Sequence, residues 1–126
     1  VDPDRFTVRL SGIGGTGVIT VSQIIGTAAM LDGFEVRGLD QTGLSQKAGP
    51  VTSDIRMSRG AAPASNHADA AGIDSMLAFD MLAAASNSHR EGCVPGHTVV
   101  IGSLEVVPTW RMRRPSRLRA QQCNRR

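Results

Sequence analysis

The feature that most constrains this chain is a strand that runs directly into a glycine loop and then into a helix. Phe6-Thr7-Val8-Arg9-Leu10 alternates apolar and polar residues, which places Phe6, Val8 and Leu10 on one face of a strand. The strand continues into Ser11-Gly12-Ile13-Gly14-Gly15-Thr16-Gly17. Beyond the loop, Val18, Val21, Ile25 and Ala28 recur at spacings of three and four, widened by Ile24 and Ala29. This pattern predicts a helix over 16–32 with those residues buried. Thr16, Thr20, Gln23 and Thr27 line another face, and Asp32-Gly33 supplies a left-handed end. Gly26 lies inside the helix at a cost of about 1 kcal/mol relative to Ala, which points to close approach of a neighbouring strand or subunit.

Further strands are expected at 34–39, at 51–57, from Ser75 to Phe79 and from Thr98 to Ile101, with a short helix at 80–87. In the third element Val51, Ser53, Ile55 and Met57 share one face, and Thr52, Asp54 and Arg56 share a wet one. Asp40 to Pro50 is a polar, Gly-containing connection, and 59–72 reads as a loop. A strand, turn, helix, strand order implies parallel pairing through a right-handed crossover. The fold class is therefore α/β: an open, mainly parallel, Rossmann-like sheet with helices on its faces.

Charge divides the chain in two. Residues 111–126 hold seven Arg and no acid, whereas residues 1–110 carry 7 basic and 11 acidic groups, a net of −4. The organisation expected is an α/β domain over 1–110 followed by an Arg-rich tail over 111–126. The tail reads as a solvated, disordered end or as out-of-register coding sequence; without aromatic residues to stack bases, nucleic acid is not favoured as its partner. Val1 in place of Met hints at a piece of something longer or an alternative start. No run of about 18 apolar residues exists to span a membrane, and the opening residues do not form a signal peptide, so a cytoplasmic location is expected. Cys93 and Cys123 cannot complete a four-cysteine site. His67, His89 and His97 are scattered through loop-like stretches as surface histidines, so no metal site is expected in this chain.

Gly12-x-Gly14-x-x-Gly17 fits the dinucleotide fingerprint in the right context, with amides at a helix N-terminus facing an anion. Asp40, 23 residues beyond Gly17, falls where a ribose-binding acid would sit. The extra Gly15 and Thr16 leave open a different phosphate-bearing ligand or a tight structural turn. No Lys follows the loop, which excludes a nucleoside-triphosphate P-loop. Candidate ligand contacts are Gly12, Gly14, Gly15, Thr16, Gly17 and Lys47, the only lysine. Asp54 and Arg56 are read as pairing with each other or with a neighbouring subunit. Ser11, Ser45 and Ser53 have no local His or acid arrangement that would make a nucleophile.

The loop Gly12-Ile13-Gly14-Gly15-Thr16-Gly17-Val18-Ile19-Thr20 is followed by Gly43-Leu44-Ser45-Gln46-Lys47-Ala48-Gly49-Pro50-Val51-Thr52-Ser53-Asp54-Ile55-Arg56. Together they resemble the gamma domain of the 2-oxoacid:ferredoxin oxidoreductases, nearest the indolepyruvate branch. The resemblance covers about residues 6–110, including Ala70 to Ala85 and Val106-Val107-Pro108-Thr109, and stops at Arg111, so the sheet is expected to be incomplete at its C-terminal end. It implies a non-catalytic portion that contributes scaffold, subunit interface and part of a coenzyme A site. Oxidative decarboxylation would belong to partner domains or subunits that hold thiamine diphosphate and iron–sulfur clusters and deliver electrons to ferredoxin. No such cofactor is expected to be held by this chain alone. The alternative is a stand-alone dinucleotide- or phosphate-ligand-binding module.

Overall fold

The alternating N-terminal segment forms β1 (Arg5–Ile13), and the apolar 3–4 pattern after the glycine loop forms α1 (Val18–Leu31). There follow β2 (Glu35–Thr42), β3 (Pro50–Ser58), β4 (Ser75–Ala78), two single helical turns, α2 (Met81–Ala84) and α3 (Asn87–Arg90), and β5 (Val99–Gly102). The computed structural model describes residues 4–42, 49–60 and 72–104. Lys47 and most of the expected polar connection lie outside the described residues. So do His67, the exit at Val106–Thr109 and the Arg-rich stretch.

The five strands form one open sheet in the order β2-β3-β1-β4-β5. β1 pairs in parallel with β4, and β4 with β5, while β3 runs antiparallel to both β1 and β2. The expected open α/β sheet is present, but two of its four pairings are antiparallel. β1 and β2 do run in the same direction, as a crossover through α1 requires. They are not neighbours because β3 turns back from β2 and inserts between them, an arrangement that hydrophobic periodicity does not encode.

Register partners share a face, so the sheet has two distinct sides. On one side Val8, Leu10, Val51 and Ile55 form an apolar cluster with Val18 of α1. Val21 and Ile25 pack on its margin, and Ser22 is buried. The helix faces the sheet as a narrower stripe than expected: Ala28 is exposed and Ile24 is 62% exposed. A single layer of sheet can cover only one side of a helix, and 24 and 28 lie on the other. The helix end follows expectation. Gly33 at φ +84° is flanked by Phe34 N–H to Ala29 O and Gly33 N–H to Met30 O, the paired bonds of a Schellman cap.

Gly26 faces Val36, but a Cβ built on it would lie 3.7 Å from Val36 Cγ1, an ordinary contact. The space therefore accommodates a methyl group. Gly26→Ala is expected to stabilise the domain by about 0.5–1 kcal/mol through helix propensity and a less flexible unfolded chain, read as a higher urea midpoint with an unchanged slope.

The second side carries α2 and α3. Met76, Ala78 and Ala84 are buried there, and Asp80 caps α2 by accepting from Ala83 N–H at 2.8 Å. Between them lies a polar interior. Arg9, directly opposite Asp54 in the register, binds it in two-point fashion, Nε to Oδ1 at 2.6 Å and Nη2 to Oδ2 at 2.7 Å. Asp54 is 3% exposed, so the expected wet face of β3 is closed at this position. Arg9 supplies the neutralising charge that lets the carboxylate be buried. β5 forms one edge of the sheet, with all four residues exposed.

Candidate functional site

The glycine loop crosses from the C-terminal end of β1 to the first turn of α1. Its glycines have different tasks. At Gly12 the backbone is tightly enclosed: a Cβ there would lie 2.7 Å from Thr16 Oγ1, 2.8 Å from Val18 Cγ2 and 3.1 Å from Phe79 Cβ. Gly14 donates its N–H to Gly49 O at 2.9 Å, tying the loop to the entry of β3. Gly15 and Gly17 adopt φ +91° and +85°, where a side chain is strained, and no atom of the described residues lies within 4 Å of the Cβ that each lacks. Thr16 closes the turn on itself, donating both N–H (3.1 Å) and Oγ1 (2.7 Å) to Ile13 O.

The loop borders a cleft of about 410 Å³ whose walls include Ile13, Gly14, Gly15, Gly17, Thr20 and Thr42. Gly17 caps α1, and among the described residues no side chain makes a cap hydrogen bond to this helix N-terminus. Such a terminus presents backbone donors and the positive end of the helix dipole to an anion. The cleft opens beyond the carboxyl ends of β1 and β2, the usual ligand position in open α/β sheets. Of the expected contacts, Gly14, Gly15 and Gly17 line it. Gly12 and the Thr16 hydroxyl support the turn instead, and Lys47 lies outside the described residues.

Asp40, read as a candidate ribose acid, is exposed and engages β3 through one carboxylate oxygen. Ser53 donates to Asp40 Oδ1 at 2.5 Å, and Ser22 is hydrogen-bonded to Ser53 at 2.6 Å, so Ser22 must be the donor in that pair. This relay runs from α1 through β3 to β2. The carboxylate turns this way because β3 separates β2 from the loop-bearing strand. Ser53 thus has a buried structural role, with no nucleophilic arrangement around it.

The network that sequence reading missed lies on the other side. Arg9 Nη1 donates to His89 O at 3.2 Å and to Glu91 O at 2.5 Å, and Ser11 Oγ meets His89 Nδ1 at 2.6 Å. Burial works against the Arg9 charge, but the hydrogen bond and Coulombic attraction of Asp54 outweigh it and push its pKa upward. Burial first, and the Arg9 charge second, push the His89 pKa below its ordinary value. Burial also raises the Cys93 thiol. His89 is thus no surface histidine but is 7% exposed, because α3 tucks it against β1. The only signal available was an Arg and an Asp at the polar positions of two strands, which becomes informative once their pairing is known. His97 behaves differently: it is exposed and pairs with Asp74 at 2.8 Å. Among the described residues, no three His, Cys, Asp or Glu side chains are grouped to hold a metal ion.

A family model for pyruvate ferredoxin/flavodoxin oxidoreductase matches residues 7–125. The chain belongs to this family. The match runs beyond residue 110 into the Arg-rich stretch. Two curated relatives of this oxidoreductase domain, the indolepyruvate oxidoreductase subunits IorB of Thermococcus kodakarensis and Pyrococcus horikoshii, are each 33% identical over 52 residues. That stretch is 41% of this chain and 26% of each relative, so the alignment spans about a quarter of their length.

Solved structures share the fold. Pyruvate oxidoreductase subunit PORC of Thermotoga maritima superposes with a TM-score of 0.61 at 20% identity, over 81% of this chain and 52% of that one. The 2-oxoglutarate:ferredoxin oxidoreductase of Magnetococcus marinus, solved with 2-oxoglutarate, coenzyme A and succinyl-CoA bound, gives 0.66 at 23% identity, over 82% and 18%. The gamma subunit of a keto/oxoacid ferredoxin oxidoreductase from Geobacter sulfurreducens gives 0.52 at 22%, over 78% and 59%. The oxidoreductase domain described here therefore has a gamma-subunit-like fold.

Proposed function

We propose that this chain is the gamma-type portion of an enzyme that oxidises a 2-oxoacid of the indolepyruvate or pyruvate kind, with ferredoxin as acceptor, in the cytoplasm. The family match over residues 7–125 carries this reading. The chain supplies scaffold and subunit interface, and its glycine cleft takes the phosphate-bearing end of coenzyme A. Gly15 and Gly17 fit that role, with positive φ and open space beside them at an uncapped helix N-terminus. Lys47, two residues before Gly49 in the sequence, is the proposed cation. Thiamine diphosphate and the iron–sulfur clusters are assigned to partner domains or subunits, where they supply the decarboxylation and electron-transfer chemistry. No described helix is long and apolar enough to cross a membrane.

The alternative of a stand-alone dinucleotide module is less well supported, because the Gly14 amide is engaged by Gly49 and Asp40 by Ser53. Amide NMR of the full chain separates the two. Coenzyme A is expected to move the Gly15, Gly17 and Val18 resonances, and Gly15→Val to abolish the effect by filling the cleft. NAD shifting them more strongly than coenzyme A would favour the module. If coenzyme A, adenine nucleotides and sulfate all leave them unmoved, the loop is a structural turn.

A further inference from the structure

On the face opposite α1, residues 87–93 form a strap held to the sheet by few bonds. Arg9 binds the carbonyls of His89 and Glu91, Ser11 binds the His89 ring, and Ile73 N–H donates to Gly92 O at 2.9 Å. The strap also walls a cleft of about 720 Å³, through Ser88, Arg90, Glu91 and Cys93, opposite Thr98 and Val100.

We propose that the Ser11–His89 pair is a proton-operated latch: neutral His89 holds the strap on β1, and its protonation releases the strap and opens the cleft. The charges around the ring explain why it must be neutral. β1 presents the Arg9 guanidinium, 4% exposed, and β3 presents Asp54, the buried anion that Arg9 already binds at both oxygens. β4 has no ionisable side chain, and α2 brings only Asp80, which caps its own helix. The strap itself adds Arg90, Glu91 and Cys93. An imidazolium here would be a second cation beside Arg9 in a site nearly closed to water.

The direction of the pH effect follows. The closed strap disfavours the proton relative to the open one, so latch stability is complete above the ordinary histidine value of about 6.5 and is lost as pH falls below it. One proton is taken up per opening event. The opening constant of the strap amides should therefore rise by up to about tenfold per pH unit in that window.

Hydrogen exchange of the full chain between pH 8 and 5, corrected for intrinsic chemistry, tests this at residues 87–93. His89→Gln keeps an acceptor for Ser11 without a titrating ring and is expected to flatten the pH dependence. Strap protection that is flat with pH in the unaltered chain, or equally pH-dependent in His89→Gln, would overturn the proposal. Should that variant not fold, imidazole NMR of the unaltered chain decides. Titration of His89 below the ordinary value, in step with strap opening, supports the latch, and titration at or above that value refutes it.

Discussion

Arg9→Met is expected to destabilise the domain by about 3–5 kcal/mol, because it removes one partner of a buried, doubly hydrogen-bonded ion pair. A loss of that size is a large fraction of the 5–15 kcal/mol typical of a whole domain. The substitution also strips the donors from the His89 and Glu91 carbonyls, so the strap loses its anchor along with the ion pair. Urea unfolding monitored by circular dichroism provides the measurement. Asp54→Leu in the Arg9→Met background should recover much of the loss, since removing both charges also removes the cost of desolvating them. A single-variant loss below about 1 kcal/mol, the range of exposed pairs, would show that water reaches this pair.

Gly12→Ala should have the second largest effect. Its Cβ would meet Thr16 Oγ1 and Val18 Cγ2 at 2.7 and 2.8 Å, nearer than real contacts allow, and Phe79 Cβ at a tight 3.1 Å. Overpacking of this kind costs about 1–3 kcal/mol, and relief requires the loop to move away from β4's end, dragging Thr16 and the start of α1. Two readouts are expected: a lower unfolding midpoint and weaker response of the Gly15 and Gly17 amides to coenzyme A. Gly15→Ala makes the contrast, because open space surrounds that position and only the positive φ, worth about 1–2 kcal/mol, opposes it. Equal effects at 12 and 15 would mean that backbone strain, not packing, governs the loop.

What the sequence revealed and what it concealed have separate physical origins. Periodicity is local, so β1, α1 and β3 could be located from spacing alone, and the Gly33 cap from the chemistry of one residue. The glycine loop was legible because its spacing and turn lie within six residues, although its ties to Gly49 and Phe79 are long-range. The hydrogen bond of Asp40 to Ser53 could not be read from the sequence, because it depends on which strand lies beside β2, and the intervening position of β3 is a long-range property. Arg9, Ser11 and His89 escaped notice on the same account. Ser11 and His89 are 78 residues apart in sequence and meet only after β1 has taken β3 and β4 as neighbours and α3 has folded over it.

The earliest of the five strands to be synthesised is also the middle strand of the sheet. β1 has no hydrogen-bonding partner until residues 50–58 emerge to pair along one edge, and none on the other until 75–78 follow. Its polar side closes later still, when His89 and Glu91 arrive. A nascent chain therefore carries Arg9 in water until His89, 80 residues further on, has been made. At about 5–20 residues per second that interval lasts several seconds, long enough for the apolar row Phe6, Val8 and Leu10 to be the segment in need of protection during biogenesis.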